Sequence, residues 1–157
     1  MAAYYFAYGS NMNRARVEAR GMPYIGIHRG VLENYALRFN KRSVKYPGAA
    51  SANVIHSPGS EVEGVLYALP SNDDVLAMDP YEGYPLRYNR QSLLIDSSTG
   101  PVTAWVYTAN RDYIQEGLRP ARWYMNHLIA GEGFLSQAYL SFLSEVACLP
   151  DSDIEPT

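Results

Sequence analysis

Tyr4-Tyr5-Phe6-Ala7-Tyr8-Gly9-Ser10-Asn11-Met12 is the stretch on which the reading of this chain turns. Its aromatic residues favour a pleated, half-buried strand. Gly9 ends that strand and permits backbone angles closed to other residues. Ser10, Asn11 or Asn13 is placed to cap a helix starting near Asn13. A strand end, a glycine turn and a helix start bring several backbone N–H groups to one spot, which suits a carboxylate, a phosphate or a developing oxyanion. The same spacing also fits a plain strand-to-helix junction with no chemistry attached. No GxxxxGK[ST] follows, and only one glycine is present, so neither a Walker loop nor a dinucleotide fingerprint is encoded here.

The chain around this stretch is that of a folded protein. Its 157 residues are 47% hydrophobic and 18% charged. That length predicts one domain, over 1–149, followed by an acidic, proline-bearing tail at 150–157 that is expected to fray. A net charge of −3 offers no general field for nucleic acid. Lys41, Arg42 and Lys45 form the one basic cluster; it reads as a solvated loop or as a contact for an acidic substrate or carrier. A single cysteine, Cys148, excludes an internal disulfide and fits a reducing compartment. No apolar run approaches a membrane span, and the start lacks the pattern of a secretory leader, so a cytoplasmic protein is expected.

Taken in order, the residues after Met12 predict a short helix over Asn13–Arg20, closed by Gly21 and Pro23. Tyr24–Phe39 reads as a strand, with Tyr35, Leu37 and Phe39 on one face. Residues 40–48 read as a loop. Ala49–Ile55 and Val62–Leu69 read as a hairpin about Ser57-Pro58-Gly59-Ser60, with Gly64 marking a bulge or close packing. Ser71 or Asn72 caps a short helix that Pro80 is expected to end. Two strands, Tyr88–Ile95 and Val102–Tyr107, flank a turn at 96–101. Residues 110–119 are irregular. Arg122–Ala130 and the stripe Leu135, Ala138, Tyr139, Phe142, Leu143, Val146 read as helices packed on the core. Five or six strands with helices at start, middle and end predict an α+β fold, a largely antiparallel sheet whose closure into a barrel would remove its edges.

Catalytic groups are few. His28, His56 and His127 are scattered without metal-ligand spacing, and no metal is expected. Cys148 reads as an inert packed thiol. Ser10 lacks a G-x-S-x-G setting. Glu82 stands apart: it lies among Tyr81, Tyr84 and Tyr88, directly before Gly83. It is either a surface turn residue or a desolvated carboxyl whose pKa is raised towards that of a proton shuttle.

Tyr8-Gly9-Ser10-Asn11 resembles the YGSN signature of the γ-glutamylcyclotransferase superfamily, and Asp79-Pro80-Tyr81-Glu82-Gly83 with Tyr88 resembles its D-x-x-E-G-x-Y segment. Residues 52–55 and 61–67 are similar to the family's central hairpin, Ala104-Trp105-Val106-Tyr107 to a later strand, and 120–139 to its closing helical segment. The resemblance covers roughly residues 4–145. It implies a small mixed, mostly antiparallel β-barrel with flanking helices. The implied activity is release of 5-oxoproline from a γ-glutamyl compound, free or attached to a carrier, without metal or cofactor. Carried over by position, Glu82 is the acid/base; Tyr8, Gly9, Ser10, Asn11 and Met12 line the pocket; Tyr88 and Tyr107 shape it. Pro80 and Pro85 depart from the pattern around Glu82. The glutathione-specific branch usually carries another residue after YGS, so Asn11 argues against that substrate. A monomer or homodimer is expected, with no nucleic-acid or membrane partner. The alternative is a non-catalytic relative that binds a small metabolite or a partner through the same pocket.

Overall fold

The computed structural model describes residues 3–150; nearly all of the expected acidic tail lies outside the described residues. Five strands, β1 (Ala3–Ala7), β2 (Gly26–Arg42), β3 (Ala50–Leu69), β4 (Tyr88–Ser97) and β5 (Gly100–Ala109), close into a barrel in the order β1-β3-β2-β4-β5. Every pairing is antiparallel except the closing one, where β1 meets β5 in parallel at Tyr5 and Trp105. With four α-helices around it, this is the expected α+β mixed barrel.

β1 is the staple of the barrel. It runs between β3 and β5, and Tyr5, Phe6, Ala7 and Tyr8 are all buried. Complete burial of side chains such as Phe6, Tyr67 and Leu66 is worth about 1.5–3 kcal/mol each. Gly64 lets β3 come this close: an added Cβ would strike the Ala7 carbonyl and sit 2.7 Å from the Phe6 ring.

Residues 49–69 are not a hairpin. From Ala50 on they form the single strand β3, antiparallel to β2 along nearly all its length. Tyr35 pairs with His56 and Glu33 with Glu61, so Ser57, Pro58, Gly59 and Ser60 face only Asn34. Asn34 and Gly59 both adopt positive φ, and the Gly59 N–H donates to Asn34 Oδ1 at 3.1 Å. Ser-Pro-Gly-Ser therefore supplies turn chemistry, but the strand resumes against the same partner and the product is a bulge.

Pro80 is likewise a beginning. Ser71 caps a 3-10 segment, Asn72–Met78, in a reciprocal capping box with Asp74. Helix α2 (Asp79–Glu82) follows at once, with Pro80 in its first turn, where no N–H donor is required. Helix α1 (Arg14–Ala19) is capped by Asn13, whose side chain accepts from the Ala15 N–H at 3.2 Å. Helices α3 (Arg122–Ile129) and α4 (Gln137–Ser144) bury Met125, Leu128 and Leu143 against the barrel. Among the described residues no helix is long and apolar enough to cross a membrane.

Candidate functional site

The end of β1 and the end of α2 meet. After Gly9 the chain makes one 3-10 turn, Ser10–Met12, closed by the Met12 N–H on the Gly9 carbonyl at 3.0 Å. That turn buries Asn11, which is 2% exposed. Its amide nitrogen donates to Tyr5 Oη at 2.9 Å and to Glu82 Oε1 at 3.2 Å. Its amide oxygen accepts from Arg20 at 3.0 Å, and its backbone carbonyl accepts from the Tyr67 hydroxyl at 2.7 Å. A side chain with all its polar atoms engaged has one orientation, so Asn11 fixes where Glu82 Oε1 lies.

Glu82 is held from behind as well. It is the last residue of α2, which Gly83 terminates in the left-handed conformation at φ 69°. Asp79, one turn earlier, takes two hydrogen bonds from Arg90 at 2.8 and 2.9 Å and one from the Tyr107 hydroxyl at 2.6 Å. This bidentate clamp ties α2 to β4 and β5. The Glu82 side chain keeps 17% of its exposure, all that the cavity gives it. Burial raises its pKa above the ordinary carboxyl value; Arg20, Lys41, Arg16 and Arg87 oppose the shift without cancelling it.

The carboxyl opens into a cavity of about 340 Å³. Tyr8, Gly9, Ser10, Asn11, Glu82, Tyr88 and Tyr107 all line it. Met12 does not: it is 1% exposed, with the Gly131 backbone packed against it, and belongs to the core. The reason is helical phase, since a turn that aims Asn11 at Glu82 sends its neighbour the other way. The tyrosines form walls whose hydroxyls are already engaged. Tyr8 donates to the Tyr107 carbonyl at 2.6 Å, Tyr88 to the Ala52 carbonyl at 2.7 Å, and Tyr107 to Asp79. Gly9 faces Tyr124, whose oxygen would lie 3.0 Å from an added Cβ.

Sequence reasoning offered Lys41 and Lys45 as a contact for an acidic substrate but missed Arg16, Arg20 and Arg87. Arg16, Arg20, Lys41, Lys45 and Arg87 line the cavity, against the single carboxylate Glu82. Arg16 lies in the first turn of α1 and Arg20 is its C-cap, one turn further on, and Arg16 donates to Ser10 Oγ at 3.2 Å. The basic cluster divides: Lys45 lies in the exposed 43–48 loop, as the sequence suggests, whereas Lys41 is drawn into β2 and buried. β2 runs on to Arg42, and a register shift between Arg38 and Lys41 inserts one residue, so that consecutive Asn40 and Lys41 are both buried. That break in the period of two is why Lys41 resembles a loop residue in sequence. The clue was the interruption of alternation at Asn40-Lys41 immediately after an apolar strand. Among the described residues no group of three or more His, Cys, Asp or Glu could hold a metal ion.

The protein-family model described as "Gamma-glutamyl cyclotransferase, AIG2-like" matches residues 5–125. No curated protein matches the chain. Solved structures do. One named "Gamma-glutamyl cyclotransferase" is 23% identical, with 100% of this chain and 93% of its own covered and a TM-score of 0.79. An uncharacterized protein from Homo sapiens is 24% identical, covering 94% and 89%, with a TM-score of 0.78. YkqA from Bacillus subtilis is 22% identical, covering 94% of this chain and 56% of its own, with a TM-score of 0.80. At these identities the structural likeness is one of fold.

Proposed function

The chain belongs to the gamma-glutamyl cyclotransferase, AIG2-like family, and from that membership and the chemistry of its cavity we propose that it releases 5-oxoproline from a γ-glutamyl amide. The observation that carries the reading is the Asn11–Glu82 hydrogen bond, which sets one raised-pKa carboxyl inside a cavity flanked by the Gly9–Asn11 turn.

The substrate supplies its own nucleophile. Its α-amine attacks its γ-carbonyl, forming the C–N bond of a five-membered lactam. Glu82 accepts the proton that the attacking nitrogen sheds. The tetrahedral intermediate then collapses, the bond to the leaving nitrogen breaks, and Glu82 returns the proton to that nitrogen. The products are 5-oxoproline and a free amine, and Glu82 ends as it began. One carboxyl serves both steps because its pKa is lifted towards working pH. No covalent enzyme intermediate and no cofactor enter the scheme. The cavity's work is to fold a flexible glutamyl chain into an attack conformer, worth several kcal/mol. Arg16 and Arg20, beside Ser10 and Asn11, supply positive charge for the glutamyl α-carboxylate. The Ser10 and Asn11 amides open a 3-10 turn and have no carbonyl within it to bond, so they are suited to an oxyanion or that carboxylate.

Incubation with a panel of γ-glutamyl amino acids, amines and peptides tests the proposal. 5-Oxoproline with a stoichiometric amine supports it. Release of glutamate instead makes the protein a hydrolase, and tight binding without turnover makes it the non-catalytic relative.

A further inference from the structure

Lys41 has no role in the scheme above, yet it is 5% exposed and lines the cavity. Among the described residues its ammonium donates no hydrogen bond to a side chain and pairs with no carboxylate. Its neighbours are two aromatic faces, Tyr88 at 5.6 Å and Tyr113 at 5.9 Å from the ring centroids. A buried ammonium backed only by rings is under-compensated, and cation–π attraction recovers only part of the hydration it has lost. The group is poised for an anion that a ligand brings.

The anion has a place in the substrate. Arg16 and Arg20 gather at the Glu82 end of the cavity, Arg16 on Ser10 and Arg20 within 4.0 Å of Glu82. Lys41 comes from a different element, β2: it pairs across the sheet with Ser51, stands over the Tyr88 ring and precedes the 43–46 segment that carries Lys45, and its charge also acts on Glu82. A γ-glutamyl head group is a zwitterion joined to a neutral amide, so it leaves the excess of cations on these walls unanswered. A second carboxylate answers it.

We propose that Lys41 is a specificity-determining residue that takes a carboxylate on the leaving-amine side of the substrate, so that γ-glutamyl amino acids and peptides are preferred to γ-glutamyl amines. The inference rests on the cyclotransferase reading. It names the subclass of substrate, which the family relationship leaves open. The charge state of the lysine gives it a second signature. Burial first, then the facing cations Arg87 and Arg42, bring the Lys41 pKa down to about 8, with Glu82 acting in the opposite direction. The positive form therefore prevails below pH 8 and is lost above it.

The test uses γ-glutamylalanine and γ-glutamylethylamine, which differ only in that carboxylate, and follows 5-oxoproline from both. The readout is the ratio of their kcat/KM values, from which the shared contributions of Glu82 and of the substrate α-amine cancel. In the wild-type protein the acid is expected to lead by about tenfold or more, the range of a charge-assisted hydrogen bond. Lys41→Met should bring the ratio close to one, chiefly through KM for the acid. The wild-type ratio should fall as pH rises through about 8. A melting curve for the variant controls for its fold. Equal use of both compounds by the wild-type protein overturns the inference and leaves the cyclotransferase reading standing. So does a Lys41→Met variant that loses both substrates in proportion, which would place the lysine on the glutamyl α-carboxylate they share. Absence of 5-oxoproline from both compounds overturns both readings.

Discussion

Asn11 and Glu82 are 71 residues apart in the chain and 3.2 Å apart in space, amide nitrogen to carboxyl oxygen. The bond joins the turn after the first strand to the end of a four-residue helix, and the family's two motifs become one site through it.

Replacing Asn11 should therefore act on Glu82. Asn11→Leu keeps the volume and removes the donor. A hydrogen bond to the ionised carboxylate favours that form, so its loss raises the Glu82 pKa further. We expect kcat to fall by about tenfold or more and the acid limb of the kcat/KM profile to move to higher pH. The Tyr5 hydroxyl and Arg20 also lose a partner, at a cost in stability of about 1–3 kcal/mol. A pH–rate profile that keeps its acid limb in place would count against the coupling.

Gly9 is kept bare by Tyr124. An added Cβ would sit 3.0 Å from the Tyr124 oxygen, which itself accepts from the Ala52 N–H at 2.9 Å. Gly9→Ala is expected to weaken substrate binding and to destabilise by about 1–3 kcal/mol. Tyr124→Phe removes the obstructing atom. The double variant should therefore recover part of what Gly9→Ala loses, and additive losses would show that the close approach is not the cause.

Asp79 anchors the helix that carries Glu82. Asp79→Asn weakens the clamp on Arg90, which is only 11% exposed, and the bond from Tyr107. A loss of about 2–3 kcal/mol is expected, with kcat reduced more than KM is raised because Glu82 is displaced three residues downstream. Chemical denaturation and steady-state kinetics check the two parts separately.

The stability of the protein should carry the mark of Glu82. Its folded-state pKa lies above the ordinary value of 4.5. For an acid raised in this way the folded state binds the proton more tightly, so the favourable contribution is full below about 4.5 and is lost as pH rises through the folded-state pKa. Glu82→Gln removes that loss. The variant is expected to melt at or above the wild-type temperature near neutral pH, with the difference closing as pH falls towards 4.5. Melting curves across pH 4–8 measure it. A variant that is less stable at neutral pH and no different in acid would mean that ionised Glu82 stabilises the fold.

Much of this site was legible because its signals are local. Aromatic alternation ending in Gly9 marks a strand and a turn, and a glutamate before a glycine among tyrosines marks an unusual carboxyl. Such signals survive without coordinates. The misreadings share a physical cause, which is that local chemistry does not say what the partner strand does. Ser57-Pro58-Gly59-Ser60 has the residues of a reversal, yet β2 continues on both sides of it and makes it a bulge. Pro80 has the residue type of a stop, yet the segment before it is 3-10 and the helix after it begins there. Lys41 has the neighbours of a solvated loop, yet one inserted residue in β2 turns it inward. Met12 belongs to the motif in sequence and to the core in space. Only Lys41 and Lys45 of the positive walls stood together in sequence; the rest was not legible because the walls are assembled from α1 and its cap, β2, the 43–48 loop and the approach to β4, which no single stretch records.

The central claim is that one carboxyl moves the protons of a self-cyclising substrate. Glu82→Gln keeps the shape and the Asn11 contact while removing the exchangeable acid. The most direct measurement is the rate of 5-oxoproline formation by this variant at saturating γ-glutamyl substrate, with calorimetric binding of the same compound run alongside. The account predicts a rate lower by a factor of about 100 or more, with affinity changed little. A variant that forms 5-oxoproline at the wild-type rate would contradict it.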